Sequence, residues 1–407
     1  MVPGDHDARV DLAGLLAAVE NASPVAAADV LAELLTEALG ASEVSFLVAD
    51  FSGRALIRLG HADSLAASRT QGRETAERVP LEGSPHGRAL AGQTLEVEDD
   101  ADGVRLFAPV TNRGEAIGVL ELSLPQPPDE RTLTDVALAA HQLAYIVIAN
   151  RRFTDLFEWG QRSVRLSLAA EIQHRLLPGS YTCEAGQFTL AAWLEPSGDI
   201  AGDTFDFVIE RDTLHVSITD AMGHALNASM LATILVGALR NARRAGVDLG
   251  RQVGLANTGL GNYTGWTDFV TGQVARIDLR SQTATIVNAG HPLPLRLRHG
   301  RVEPVALAAD APFGIVHDLD YRVQRLPLEP GDRLIFLTDG MTERNAVDIE
   351  ALIEAGAEMH PREAVQHLVH GVLEATAGTP EDDATVMCLD WHGGPPRERL
   401  TDSGANE

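Results

Sequence analysis

The chain predicts an α+β protein of two domains joined by a helical segment. Three observations carry that expectation. Its 407 residues exceed one ordinary domain and suit two. Over about the first 150 residues the hydrophobic period runs from helical to strand-like and back to helical. From 183 to 391 the pattern is strand-rich with two helical blocks, which predicts sheets with helices stacked outside them.

Taken in order, residues 11–40 read as two helices around "NASP", where Ser23 and Pro24 make a helix start. "EVSFLVAD" (43–50), "RALIRLG" (54–60), "VRLFAPV" (104–110) and "AIGVLELSL" (116–124) are strand-like, with "DFSGR" and "TNRGE" as hairpin turns. After "PQPPDERT" a helix runs from about 131. The segment 151–178 keeps a helical stripe of Phe153, Phe157, Val164, Leu168, Ile172 and Leu176, interrupted at Gly160 and ended by Pro178. Five arginines (151, 152, 162, 165 and 175) make it the most basic stretch of the chain. It reads either as one amphipathic helix packed on a neighbour or as a dimerising helix between domains.

Further on, strands are expected at "FTLAAWLEP", "FDFVIE", "TLHVSITD", "TGQVARIDL", "TATIVNAG", "PLRLRH", "YRVQRLPL", "RLIFLTDG" and "ATVMCLDW". The helical blocks fall at about 224–246 and 361–377. The expected boundaries are a helical segment over 1–23, a first domain over 24–150, a linker over 151–178, a second domain over 179–392 and a disordered tail over 393–407.

Composition narrows the function classes. With 58 acidic against 32 basic residues the net charge is −26, which disfavours nucleic acid and anionic lipid as partners. Hydrophobic content of 45% supplies real cores. Two cysteines, Cys183 and Cys388, are too few for a disulfide framework or a cysteine-rich zinc site. The acidic N-terminus is unlike a signal peptide and "LAYIVIAN" is too short to span a bilayer, so a cytoplasmic protein is expected.

Acids recur where strands end. "PSGDIAGDTFDFVIE" (196–210) packs Asp199, Asp203 and Asp206 into the mouth of a strand. Asp220 follows "LHVSIT", Asp339 follows "RLIFLT", and Asp382 and Asp383 precede "ATVMCLDW". Each alone reads as a turn acid. Brought together, such like charges need a neutralising cation, and an all-carboxylate set suits Mg²⁺ or Mn²⁺. The small Gly202, Ala221 and Gly340 leave room for close backbone approach.

The ordered motifs "PSGDIAGDTFDF", "TDAMGHA", "VNAGHPLPL", "LTDGMTE" and "EDDATVM" resemble those of the PPM-type serine/threonine phosphatases of the SpoIIE/RsbU class. Residues 24–150 resemble a GAF domain, through their layout and "GRALAGQTLEVEDD" followed by "LFAPVTNRGEAIGVLEL". "EIQHRLLP" is similar to the switch helix that leads into this phosphatase class. The resemblance implies a layered α-β-β-α sandwich and a centre of two Mn²⁺ or Mg²⁺ ions. Asp220 and the Ala221 carbonyl would bridge them, Asp339 and Asp382 would complete one shell, and Asp203 would serve the other ion. Asp383 rivals Asp382 for its place. Asp206, His224 and Gly340 are expected in support, Asp206 orienting waters or an amide and His224 reaching the leaving-group oxygen. His291 and Asn288 are expected to shape a loop. Ala201 and Phe205 depart from the usual pattern without removing a carboxylate.

The implied reaction is metal-dependent hydrolysis of phosphoserine or phosphothreonine by water, with no phosphoenzyme. The implied substrate is a phosphorylated STAS-type anti-sigma-factor antagonist, and the implied assembly is a homodimer through the GAF-like domain and linker. The front half has no cysteine for thiol sensing or bilin attachment, while His61, His86 and His141 stay open as haem ligands. An unknown small molecule or protein would act there, biasing the linker. The alternative is a catalytically silent sensory or partner-binding module.

Overall fold

The computed structural model describes residues 11–51, 53–59, 76–161, 166–197, 202–345, 347–376 and 382–395. The chain forms two compact units that divide between residues 165 and 166, inside the expected linker.

The N-terminal unit opens with α1 (Leu12–Asn21), a short 3-10 turn (Pro24–Ala26) and α2 (Ala27–Leu39). Its strands are β1 (Glu43–Ala49), β2 (Ala55–Leu59), β3 (Ala76–Pro80), β4 (Glu96–Asp100), β5 (Gly103–Asn112) and β6 (Glu115–Leu124). They form an antiparallel sheet in the order β3-β2-β1-β6-β5-β4. Helix α3 (Pro85–Gly92) lies between β3 and β4, and α4 (Glu130–Asn150) follows the sheet, capped by the Asp129 carboxylate on the Thr132 amide. Val136, Ala139, Ala140, Leu143 and Ala144 of α4 bury against one sheet face with Leu31 and Leu35 of α2. By length and composition α4 could cross a membrane, but half of its apolar window is buried in this core. The sequence hid β4 because it is a largely exposed edge strand, "EVEDD", with no apolar face to alternate.

The opposite face of this sheet carries α3 over Leu47, Leu56, Phe107 and Val119. Beside them Glu121 is buried and accepts from Arg58 at 2.7 Å, from Arg105, and from His86 Nε2 at 3.0 Å. Burial, then the Arg58 and Arg105 charges, drive the His86 pKa down to about 4. His141 Nδ1 donates to the Thr111 carbonyl at 3.2 Å. Both rings are thus engaged within the fold, and His61 lies outside the described residues.

Among the described residues of 151–178 the expected stripe is carried by two short helices, the first ending at Gly160, where an interruption was expected. Helix α4 stops at Asn150, and α5 (Leu156–Gly160) starts anew after the Thr154 hydroxyl accepts from the Leu156 amide. Then α6 (Leu168–Leu176) begins on a Ser167 cap. Phe153 and Leu168 are 75% and 67% exposed, so only part of the stripe is buried. The Ser167 cap and the local Thr154 hydroxyl bond start new helices where periodicity alone would have continued one.

The C-terminal unit stacks two antiparallel sheets. One has the order β15-β12-β11-β10-β9 and the other β14-β13-β16-β17-β8-β7. The strands are β7 (Thr182–Glu184), β8 (Phe188–Glu195), β9 (Thr204–Glu210), β10 (Thr213–Ala221), β11 (Val270–Asp278), β12 (Thr283–Ala289), β13 (Leu295–Arg298), β14 (Arg301–Pro304), β15 (Gln324–Leu326), β16 (Asp332–Leu337) and β17 (Ala384–Trp391). Phe188, Leu190, Phe205, Val216, Ile218, Ile277, Phe336, Met387 and Trp391 fill the layer between the sheets. Each such large side chain stabilises the stack by about 1.5–3 kcal/mol relative to exposure.

Helices α7 (Ala225–Arg244) and α8 (Leu249–Thr264) cover the five-stranded sheet. Helices α9 (Ile349–Ala355) and α10 (Pro361–Ala375) cover the six-stranded one. The result is the expected α-β-β-α layering. Among the described residues it has two more covering helices than the sequence predicted, α8 and α9. Four glycines dilute the α8 pattern, yet Gly261 is required there because a Cβ would meet the Trp266 ring at 2.5 Å. Cys183 and Cys388 are buried free thiols.

Candidate metal centre

Strand alternation brings the acids to one mouth of the sandwich. Phe205 on β9, Ile218 on β10, Phe336 on β16 and Met387 on β17 face the inter-sheet layer. Two residues beyond each, the period of two places Asp203, Asp220, Thr338 and Thr385 on that same inward face. Asp206 is three residues from Asp203, so it falls on the opposite face of β9.

There the Asp206 carboxylate pairs with Arg240 at 2.8 Å and Arg243 at 3.1 Å of α7. Arg240 also donates to the Leu176 carbonyl at the end of α6, at 2.6 Å. Asp206 therefore ties α6, α7 and β9 together, and is not in the carboxylate cluster it was expected to support. Asp199 and Ala201 lie outside the described residues.

Asp203 is 2% exposed. Its Oδ2 accepts from Thr338 Oγ1 at 2.7 Å and Thr385 Oγ1 at 2.6 Å. Both hydroxyls come from the other sheet, and the Thr385 amide in turn donates to Thr338 Oγ1 at 3.0 Å. These bonds fix the carboxylate across the two sheets and leave Oδ1 outside the hydroxyl clamp. Gln173 of α6 reaches the same place, its amide donating to the Asp203 carbonyl at 2.8 Å and to Asp383 Oδ2 at 2.6 Å.

Asp382 and Asp383 differ sharply. Asp383 is 1% exposed, and besides Gln173 it accepts from the Ser197 amide at 2.9 Å and the Gly202 amide at 3.2 Å. Asp382 is exposed, and its Oδ1 accepts from the Asp383 amide at 2.8 Å. Asp339 is exposed at the start of the 3-10 turn Asp339–Asn345. Gly340 behind it has no room for a side chain, because a Cβ would collide with the Asp383 carbonyl oxygen. A Cβ on Gly202 would stand 2.7 Å from the Ala221 carbonyl oxygen. The expectation of close backbone approach at these two glycines holds. His224 is exposed at the N-cap of α7 and makes no side-chain cap bond.

The electrostatics are those of crowded anions. Burial, then Asp339, Asp382 and Asp383, push the Asp220 carboxyl up to about 7. Asp203 is held well above the carboxylate range by burial, then by Asp220 and Asp383, against the two threonine bonds. Burial raises Asp383 to about 6, and burial with Asp339 raises Asp382. No positively charged side chain among the described residues is one of the groups that shift Asp203 or Asp220. Among the described residues no three acidic, histidine or cysteine groups reach the spacing of a closed ion site. Hard oxygen donors, unneutralised and repelling one another, fit a divalent Mg²⁺ or Mn²⁺ and do not fit a soft-ligand metal.

The sequence motifs contained Thr338 and Thr385, but their hydroxyls look inert without the fold. Gln173 sat in "EIQHRLLP", and Arg240 and Arg243 in a helix with no acidic neighbour to announce their role.

Both units resemble known proteins. Residues 210–392 match the family model for stage II sporulation protein E (SpoIIE), and residues 23–147 match the GAF domain model. The chain is 22% identical over 232 residues to phosphoserine phosphatase RsbU of Bacillus subtilis (strain 168), across 55% of this chain and 69% of that protein. It is 23% identical over 189 residues to phosphoserine phosphatase RsbP of the same organism, across 44% of this chain and 46% of that protein. A solved structure of the PP2C phosphatase domain of SpoIIE from Bacillus subtilis, with a fragment of its regulatory domain, aligns with TM-score 0.46 and 22% identity. That alignment covers 53% of this chain and 66% of that one.

The C-terminal unit is a phosphatase domain of the PPM type. More narrowly it is of the SpoIIE/RsbU class, and the unit ahead of it is a GAF domain. The SpoIIE match begins at residue 210, after Asp203. What joins Asp203 to the other acids is its clamp by Thr338 and Thr385.

Proposed function

We propose that this chain is a metal-dependent phosphoprotein phosphatase acting on phosphoserine or phosphothreonine of a regulatory protein, under control of its GAF domain. The observation that carries the reading is the set of mutually repelling carboxylates at one mouth of a phosphatase-domain sandwich. Asp203, Asp220, Asp339 and Asp382, with the Ala221 carbonyl, would hold two Mg²⁺ or Mn²⁺ ions. Ions bound there would offset the carboxylate charge, polarise phosphoryl oxygens and acidify water.

The chain's own part is positioning. Thr338 and Thr385 hold Asp203 in one rotamer, and Gly340 lets β16 run against β17 so that Asp339 and Asp382 share a rim. Asp383 has its oxygens occupied by the Ser197 and Gly202 amides and by Gln173, so Asp382 is the better ligand. Exposed His224 at the α7 start remains available to a departing serine oxygen.

For the substrate, the similarity to RsbU and RsbP supports a phosphoserine protein. A phosphorylated STAS-type anti-sigma-factor antagonist is the partner we propose, in the cytoplasm. For regulation, α6 is the route: Gln173 bonds both the Asp203 backbone and Asp383, so a shift of α6 alters the carboxylates directly. A signal or homodimerisation at the GAF domain would act through that helix.

The test is phosphate release from a phosphoserine-bearing protein by the full chain and by Asp220→Ala, with and without Mn²⁺. Metal-dependent release that the variant loses is expected. Metal-independent release, or none by the wild type, would favour the silent sensory module instead.

A further inference from the structure

His291 has no part in the chemistry above, yet it is only 4% exposed. The turn that carries it is held at both ends. Asn288 Oδ1 accepts from the His291 amide at 2.8 Å, and Asn288 Nδ2 donates to the His291 carbonyl at 3.0 Å. Gln273 Nε2 donates to the Pro292 carbonyl at 2.6 Å. So clasped, the imidazole lies with Nδ1 2.9 Å from Thr271 Oγ1. Thr271 is the direct antiparallel partner of Asp220 in the β10–β11 register. Directly opposite residues project on the same face with Cβ atoms about 5 Å apart, so Thr271 and Asp220 are neighbours on one face of the sheet.

The other side of the ring faces the second sheet. Its Nε2 is buried without a well-formed hydrogen bond, and the Leu337 backbone is the polar group from that sheet that reaches the ring. Leu337 is the last residue of β16, immediately ahead of Thr338, which clamps Asp203, and of Asp339. One neutral ring therefore stands between the strand partner of Asp220 and the strand end that delivers Thr338 and Asp339.

We infer that His291 is a positioning residue for the metal centre: through Thr271 and the end of β16 it sets the spacing between Asp220 on one sheet and Asp339 on the other. This rests on the reading of those carboxylates as metal ligands. An ordinary core histidine would lend stability alone. A brace lends something separable, because carboxylates held at the wrong separation still fold but bind cations poorly. Groups that orient metal ligands without touching the ion typically contribute 10–100-fold in affinity.

The experiment is a Mn²⁺ titration of the metal-stripped full chain, read by thermal unfolding, with phosphate release at saturating Mn²⁺ measured in parallel. His291→Ala is expected to raise the Mn²⁺ midpoint about 10-fold, while release at saturating Mn²⁺ recovers to within a few-fold of wild type. His291→Asn, which keeps a short hydrogen-bonding group near Thr271, should restore most of the midpoint. Thr271→Val gives the same upward shift without touching the ring, and serves if His291→Ala fails to fold. A wild-type Mn²⁺ midpoint in Thr271→Val and in folded His291→Ala would overturn the inference while leaving the phosphatase reading intact. A wild-type chain that neither responds to Mn²⁺ nor releases phosphate would overturn both.

Discussion

Replacing Asp220 by Asn should make the metal-free protein more stable and the metal-bound one useless. In the metal-free fold Asp220 is pushed from 3.8 to about 7 by burial and by three neighbouring carboxylates. The folded state keeps that proton to a higher pH than the unfolded chain does. Stability is therefore lost as pH rises from about 4 to about 7, and the full cost stands above about 7. A rise of about three pKa units corresponds to about 4 kcal/mol, an upper figure because the acids share one another's protons. Asn cannot ionise and escapes this cost. For a unit of this size the gain is on the order of 10 °C in Tm at about pH 8, shrinking toward nothing near pH 4.

Calorimetry of the full chain in a chelator, across that pH range, reads the effect. Adding Mn²⁺ should reverse the order, stabilising wild type and leaving Asp220→Asn unmoved. A variant less stable than wild type at about pH 8 without metal, or a difference that ignores pH, would refute the reasoning.

Three further outcomes follow from the same geometry. Asp206→Asn strips the partner of Arg240 and Arg243 and should cost about 3 kcal/mol in denaturant unfolding, with Mn²⁺ binding retained because Asp206 lies on the opposite face of β9 and Arg240 keeps its own bond to Leu176 of α6. Gly340→Ala forces a Cβ against the Asp383 backbone. It should cost roughly 2–3 kcal/mol and also weaken Mn²⁺ binding, measured by the same titration. Gln173→Ala removes the bonds from α6 to Asp203 and Asp383. It should raise the Mn²⁺ midpoint about 10-fold and depress phosphate release at limiting metal.

Much of this was written in the sequence, because strand alternation is a local property. The apolar runs before Asp220 and Asp339 and after Asp383 announced strand ends with acids, and strand ends are where a sandwich opens. Periodicity also carried the information that separates Asp203 from Asp206. Three residues apart on a strand means opposite faces, and only the arginines of α7, distant in sequence, show what the second face meets. The choice between Asp382 and Asp383 was not legible. These adjacent identical residues differ in burial and in partners, since the amides of Ser197 and Gly202, distant in sequence, reach Asp383 alone. Helix α8 was hidden by four glycines, of which Gly261 is demanded by the Trp266 ring, and a weak stripe over 151–178 gave no sign that new helices start at Leu156 and, on a Ser167 cap, at Leu168. Gln173 was unreadable in kind: a buried amide inside a helix has no pattern until its two acceptors arrive from distant strands.

The central claim is that these carboxylates form a divalent-cation site, and direct Mn²⁺ binding to the metal-stripped full chain tests it without recourse to turnover. Titration calorimetry should show binding to wild type that Asp220→Asn abolishes and Asp206→Asn retains. Equal binding by wild type and Asp220→Asn, or no binding by wild type, would contradict the account.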